Sequence, residues 1–541
     1  MVDLQGAFDR LNATIERKIQ ALNFPGLAVG ITDRKRLLFV GQYGLANRDI
    51  QKPVTAETLF QIGSISKSFC SIILLQLQEK GLLSIDDPVT KHLPWFKIQS
   101  QYPPITLRHL MSHTAGIIMG ADQSPAAFNE AWSLRHTHAT APPGEMFHYS
   151  NSGYKVLGLV LQTILKRDLA DILRSRIFIP LKMTATEPVI TNAIRLRLAT
   201  GYEAFYDDRP LPRGGRLAPA TWFESDTADG SISSNAADMC RYLRCLLHRG
   251  QNLLHPESFD QIIAPVIPTG DDLHGEHYGL GLSTRQIEGH QVIGHSGGMV
   301  GYTADLLADL DAGLGVVVLT NGPGDPEKIS QYSLGLIRAA VEEQDFPEFR
   351  LTDPGWIENG EDYAGQYHCG SKEFTITSHG EQLTLEFEGD SILLEHCRPD
   401  VFLVPHPAFE LFPLRFGRMA GTEGKDKTPI IEAFHGPDWY IHSRYQEETS
   451  LEIPPEWQGY AGHYRSYNPW LSNFRVMVQK DSLVIIHQWD TEEPLRQIGP
   501  GCFRVGTDPQ TPEFIQFDLI IDGKAMQANL SGGVYYRTFT P

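Results

Sequence analysis

The sequence predicts an α+β fold: an antiparallel sheet flanked by helices within residues 1–348, followed by two antiparallel β domains at 349–450 and 451–541. Three observations carry this expectation. Strand-like segments open and close the first part of the chain with helix-like segments between them, which suits one sheet built from both ends of a domain. After about residue 350 helical periodicity fades, and short alternating runs separated by Gly, Asp and His-Gly turns take over. That second part also repeats itself.

Taken in order, MVDLQGAFDRLNATIERKIQALNFPG reads as an amphipathic helix with Phe8, Leu11, Ile15, Ile19 and Leu22 on one face. GLAVGITDRKRLLFVGQYG alternates like two paired strands with a turn at DRKR. FCSIILLQLQEK is an apolar helix stopped by Gly81, YKVLGLVLQTIL a second, and AADMCRYLRCLLHRG a third. VIGHSG, YTADLLADL and GVVVLTN return to strands, and ISQYSLGLIRAAVEEQ closes as a helix. In the tail, DYAGQYH at Tyr363 matches GYAGHYR at Tyr460. Phe374 and Leu383 match Phe474 and Leu483, and Gly436 matches Gly532, at offsets of 97, 100 and 96. Between the copies, EETSLEIPPEW is stiffened by Pro454 and Pro455.

Composition bounds the function. A chain of 541 residues exceeds one ordinary domain, and 41% apolar with 21% charged content is that of a soluble globular protein. A net charge of -19 argues against nucleic acid and anionic membrane surfaces as partners. The six cysteines contain no CxxC, so neither a zinc knuckle nor a thioredoxin-like site is indicated, and all six read as thiols. The N-terminus lacks an apolar h-region, and no stretch of about 18 apolar residues follows. The expectation is a cytoplasmic protein without a membrane segment, metal or cofactor; a homo-oligomer stays open.

Three short stretches carry chemistry. In GSISKSFC, Ser64 and Lys67 stand at i and i+3, on one helix face. A serine at a helix start has unpaired backbone N–H groups around it, which suits a nucleophile passing through an oxyanion. Lys67 is flanked by Phe69, Ile72, Ile73 and Leu74, and desolvation there favours a neutral amine able to take a proton. A capped helix start with a snorkelling lysine accounts for the same stretch taken alone. HYSNSGY places Tyr149, Ser150 and Asn151 on a turn before a helix: a phenol for proton relay and an amide for a substrate carbonyl, or else an Asn-capped turn with a core tyrosine. GHSGGMVGY places His295 on a strand, with Gly297 and Gly298 allowing close approach of backbone or ligand, or forming a bulge.

In the order SxxK, YxN, HxG, over roughly residues 10 to 345, the chain resembles the class C β-lactamase and penicillin-binding-protein-like serine hydrolases, a family that also holds esterases and D-aminopeptidases. TLFQIGSISKSF, GLLSIDDPV, ITLRHLMSHTAGI, PPGEMFHYSNSGYKVLG and IGHSGGMVGY support the likeness. The resemblance implies a β-lactamase/transpeptidase-like domain with a helical subdomain. It implies Ser64 as nucleophile, Lys67 and Tyr149 as proton-transfer groups, and Asn151 in contact with substrate. The oxyanion donors would be the backbone N–H groups of Ser64 and Gly298, beside Gly297. His295 stands where true β-lactamases carry the lysine of KTG, which removes a fixed charge for a β-lactam carboxylate. The tail domains resemble lipocalin-like eight-stranded barrels found downstream of some members. The layout favours a peptidase of D-aminopeptidase type acting on a small peptide, amide or ester. Esterase comes next, then β-lactamase or DD-carboxypeptidase, with a catalytically silent scaffold as the rival. Glu423 or Asp426, in the barrel loop 416–429, would meet a substrate amine. Loops 117–140 and 202–228 would line the cleft, and His109, His113 and His148 would be scaffold.

Overall fold

The computed structural model describes the chain except residues 1–3, 23, 123, 125, 271–274, 350–354, 420–427, 447–448, 450–451, 489–490 and 539–541, and the side chains of 18 and 20–22. Glu423, Asp426 and the side chain of Leu22 therefore lie outside the described residues. The chain divides into two compact units. The first comprises Met1–Glu203, Leu217–Phe349 and Gln510–Pro512; the second comprises Ala204–Arg216, Arg350–Pro509 and Glu513–Pro541.

The first unit is built on a nine-stranded antiparallel sheet. Its order is Lys52–Pro53, Leu37–Asn47, Gly26–Asp33, Leu314–Thr320, Tyr302–Asp309, His290–Met299, Ser283–Ile287, His277–Tyr278 and Ile267–Pro268. The two ends of the domain thus share one sheet, meeting in the register Val29↔Val318. Strand Leu314–Thr320 is buried at every position, because helices cover both faces. On one face Leu11 and Ile15 of helix Gln5–Leu22 join Leu336 and Ile337 of helix Pro326–Val341 over Val29, Ile31, Val316 and Val318. Each such side chain contributes about 1.5–3 kcal/mol on burial. On the other, helix Ala236–Leu247 approaches closely. A Cβ on Gly30 would lie 2.7 Å from Cys240 Sγ, and one on Gly315 3.1 Å from Leu243. Cys240 and Cys245 are both buried, and none of the six cysteines forms a disulfide. No helix among the described residues is long and apolar enough to cross a membrane.

One buried carboxyl gives this unit a pH dependence. Asp305, 2% exposed, faces Ser330 Oγ, and burial pushes its carboxyl from the ordinary 3.8 up to about 7. A raised carboxyl binds its proton more tightly in the folded than in the unfolded chain. Its stability contribution is therefore complete below the unfolded value and is lost as pH rises through about 7. Asp305→Asn is expected to raise the melting temperature more at pH 8 than at pH 5, by the equivalent of about 2 kcal/mol or more. Paired calorimetric scans test this, and an equal shift at both pH values contradicts it.

The second unit holds two β-barrel folds of the same design. Gly462–Arg537 is a closed barrel of eight strands. Gly365–His442 forms a nine-stranded sheet whose edge strands, Asp390–Leu393 and Glu395–Arg398, are consecutive in the chain and separated only by Leu394. These two pieces correspond to the single bent strand Glu492–Gly499 of the second copy. There too the first half pairs with the preceding strand (Ile485↔Glu493) and the second half with the following one (Leu495↔Val505). Both folds are thus one meander with a bent fourth strand, broken in the first copy.

The repeat holds in the register. Tyr367 pairs with Phe374 as Tyr464 pairs with Phe474, and the hydroxyls of Tyr367 and Tyr464 donate to the carbonyls of Tyr363 and Tyr460. The third anchor needs a correction of one residue. Tyr440 pairs with Ala433 and Tyr535 with Ala528, so Gly436 corresponds to Ser531 rather than to Gly532. The offset is 95, because alternation along a strand allows only this register to bury both tyrosines. Tyr440 and Tyr535 are 3% and 1% exposed, whereas Tyr536 is 57% exposed. Residues 204–216 also belong to this unit rather than to a cleft loop of the first. Asp207 pairs with Arg465 and accepts from Ser472 Oγ, and the Asp208 carbonyl accepts from Arg475.

Candidate active site

Ser64 lies in a 3-10 turn, Gly63–Ile65, that leads into helix Ser66–Glu79. That helix is buried from Ser66 through Leu77, so Lys67 enters the interior rather than reaching solvent, and its exposure is 0%. Two hydroxyls hold the helix in place. Ser68 Oγ meets Tyr242 OH at 2.7 Å, and Ser71 Oγ meets Tyr154 OH at 3.1 Å. Gly81, at φ +66, follows the helix end.

Lys67 Nζ donates to Ser64 Oγ at 2.9 Å, to Asn151 Oδ1 at 2.8 Å and to the Asp229 carbonyl at 3.0 Å. Three donated bonds use all three protons of an ammonium, so this geometry does not hold the neutral, proton-accepting amine expected from the sequence. The Asp229 carbonyl is brought there by a small two-stranded sheet, Phe60–Gln61 against Ser233–Ser234, with Ile62 N donating to Ile232 O. Asp229 was not singled out in the sequence. Its contribution is a backbone carbonyl, which leaves no residue signature.

The turn bearing Ser64 docks on strand His290–Met299 through glycines. Gly63 has φ +53, and a Cβ on it would meet Gly298 N and O at 2.6 Å. A Cβ on Gly297 would meet Ile62 O at 2.0 Å and lie 3.3 Å from Ser64 N. The backbone N–H groups of Ser64 and Gly298 are thereby held on neighbouring segments. The close approach is made at Gly297, since a Cβ on Gly298 would find open space.

Ser150 caps helix Asn151–Leu165, accepting from Gly153 N and donating to Ile118 O. Tyr149, just before the cap, places its ring centroid 4.8 Å from Lys67 Nζ. His113 lies against that ring at 4.2 Å, and its Nδ1 accepts from Ser150 N at 2.9 Å. His113 adopts φ 57, a conformation uncommon outside glycine. Burial first, then the charges of Lys67, His295 and His148, push its imidazole well below the ordinary value. The expectation that His113 is scaffold therefore needs refining, because it supports Tyr149 directly. His109 does serve as scaffold, closing a capping box with Thr106.

The Asn151 amide is held at both ends. Nδ2 donates to Asp122 Oδ2 at 3.3 Å, and Asp122 is ion-paired with Lys155, which also binds Glu130 at 2.9 Å. Burial pushes the Asp122 carboxyl up, with the Lys155 charge pulling the other way. Residues 118–122 of the expected cleft loop thus support this helix start. His295, 8% exposed, has both ring nitrogens engaged, Nε2 with Tyr278 OH at 2.8 Å and Nδ1 with the Ser296 carbonyl at 2.5 Å. Its ring centroid is 6.3 Å from that of Tyr149.

An antiparallel sheet covered by helices, with a serine and a lysine at the start of its buried central helix, is the architecture of the β-lactamase and penicillin-binding-protein-like serine hydrolases. The family model described as Beta-lactamase matches residues 11–338, and the chain belongs to that family. Among its relatives, Protein flp of Staphylococcus aureus (strain NCTC 8325 / PS 47) is 25% identical over 58% of this chain and 62% of its own length. Penicillin-binding protein 4* of Bacillus subtilis (strain 168) is 25% identical over 56% of this chain and 69% of its own. The match to Protein flp thus spans less than two thirds of that protein. Among solved structures, the octameric penicillin-binding protein homologue from Pyrococcus abyssi covers 80% of this chain and 99% of its own, at 24% identity and TM-score 0.59. The D-amino acid amidase from Ochrobactrum anthropi SV3 covers 62% of this chain and 99% of its own, at 23% identity and TM-score 0.53. At these identities the structural likeness establishes the fold.

Proposed function

We propose that this protein is a serine hydrolase that cleaves amide or ester bonds through an acyl-enzyme on Ser64, and that it acts first as a peptidase or amidase of D-aminopeptidase type. The observation that carries the reading is the fully buried Lys67 ammonium bridging Ser64 Oγ, Asn151 Oδ1 and the Asp229 carbonyl. Burying a lysine without function is costly.

With three acceptors around Nζ, the proton of Ser64 passes to Tyr149 acting as a phenolate, its ring centroid 4.8 Å from Lys67 Nζ. Ser64 Oγ bonds to the carbonyl carbon, and the carbonyl π electrons move onto oxygen beside the N–H groups of Ser64 and Gly298. Collapse breaks the bond to the amine or alcohol, which takes the proton from Tyr149. Water then repeats the sequence on the acyl-enzyme, Tyr149 receiving its proton and returning it to Ser64. Esterase activity is the second reading. It shares every step and is favoured by His295, which offers no free cation for a substrate carboxylate.

A matched rate panel tests this: a nitrophenyl acyl ester, a D-alanyl anilide and a chromogenic cephalosporin, each with native protein and Ser64→Ala. The expected result is turnover of the anilide or ester, lost at least about 10³-fold in Ser64→Ala. Turnover that survives Ser64→Ala, or no turnover of any of the three, contradicts the proposal.

A further inference from the structure

Tyr278 was not singled out in the sequence, and no step above uses it. It lies on the short strand His277–Tyr278, is 4% exposed, and reaches His295 with its hydroxyl. The hydrogen-bond directions follow from chemistry. The Ser296 carbonyl can only accept, so His295 Nδ1 carries a proton and donates to it. In a neutral imidazole Nε2 is then a lone pair, and it accepts from the Tyr278 O–H. Both ring nitrogens are used, and neither offers an N–H to a substrate.

The surroundings favour the same form. Burial first, then the Lys67 charge, push the His295 imidazole down to about 4, with the Ser296 carbonyl pulling the other way. Facing His295 are Lys67, Tyr149 and the neutral His113. Tyr278 itself is packed by His113 at 4.8 Å and Phe147 at 5.6 Å, with Tyr154, Tyr149 and Glu276 as its titratable neighbours. Tyr154 donates to Met111 O, and its hydroxyl also lies within hydrogen-bonding reach of Ser71 Oγ and of Tyr278 OH. Burial pushes Tyr278 well above its ordinary range, so its hydroxyl keeps the proton it donates.

We infer that Tyr278 is a positioning residue that locks His295 as the neutral Nδ1–H tautomer, and thereby restricts the site to amides and esters carrying no carboxylate beside the scissile bond. This rests on the proposed hydrolase function for its substrate consequence, but not for the tautomer.

Two measurements separate those parts. Two-bond ¹⁵N–¹H correlation spectra of histidine-labelled protein, with His295 assigned by its loss in His295→Gln, read the tautomer without turnover. A protonated Nδ1 and an accepting Nε2, unchanged from pH 8 to about pH 5, are expected. A His295 that titrates near its ordinary value, or that carries its proton on Nε2, overturns the inference even if hydrolysis is confirmed.

The second measurement compares nitrophenyl butyrate with nitrophenyl hydrogen succinate, similar in length but neutral and anionic. Native protein is expected to favour butyrate in kcat/KM at both pH 7.5 and pH 5.5. Tyr278→Phe removes the donor to Nε2, so the neutral imidazole can carry its proton there and offer an N–H to a carboxylate. Its KM for the succinate is expected to lie about 10-fold below that of native protein at both pH values, with kcat for butyrate changed far less. An unchanged succinate-to-butyrate ratio in a folded Tyr278→Phe overturns the specificity role. If native protein cleaves neither ester and none of the three substrates of the rate panel, the hydrolase reading is at fault, and the spectra still decide the tautomer. If Tyr278→Phe does not fold, the native spectra decide it as well.

Discussion

Lys67→Ala is expected to lower kcat/KM at least about 10³-fold and to destabilise the first unit by about 2–4 kcal/mol. The two effects have one cause. Nζ is the shared donor to Ser64 Oγ, Asn151 Oδ1 and the Asp229 carbonyl, and its removal leaves buried acceptors without a proton. Each such acceptor costs about 1–3 kcal/mol. The turnover loss follows because Ser64 and Tyr149 no longer share a fixed positive charge. Ser64→Ala separates the effects, since the lysine keeps its other two acceptors. Its turnover should vanish while its melting temperature stays near native. Calorimetry and steady-state rates on both variants form the test. Near-native turnover in Lys67→Ala would make the lysine structural only.

Gly297→Ala should be nearly as damaging to turnover, by a different route. A Cβ at this position would stand 2.0 Å from Ile62 O, so strand His290–Met299 and the serine turn must part. Separation moves Gly298 N away from Ser64 N, and the two N–H groups proposed as oxyanion donors are then no longer held side by side. Losing one donor of this kind costs about 10²–10³ in kcat, with KM changed much less. Pre-steady-state acylation rates measure it directly. Unchanged acylation in a folded Gly297→Ala would remove the pair of N–H groups from the mechanism.

The sequence is most informative where chemistry and local geometry coincide. Ser64 and Lys67 share a helix face because they are three residues apart, and the apolar run after them announces burial. Gly297 announces a close backbone approach because no side chain fits there. The barrel repeat is legible because inward aromatics such as Phe374 and Phe474 recur at matched places. The same recurrence places the last anchor one residue away from its position in the fold. Two adjacent glycines, Gly532 and Gly533, leave the turn ambiguous on paper, and only the burial of Tyr440 and Tyr535 resolves it.

By itself, then, the sequence determined the order of the elements, the three motifs and the duplication in the tail, all of which rest on contacts or periodicities short along the chain. The tertiary structure alone decided which distant groups complete the site. Asp229 supplies a carbonyl from 162 residues away from Lys67, His113 supports Tyr149 from 36 residues upstream, and Tyr278 engages His295 across the intervening strand Ser283–Ile287. It also decided that residues 204–216 join the barrels. A backbone carbonyl is common to every residue, and a buried ring suits a core as well as a site, so neither carries a signature until folding sets its neighbours.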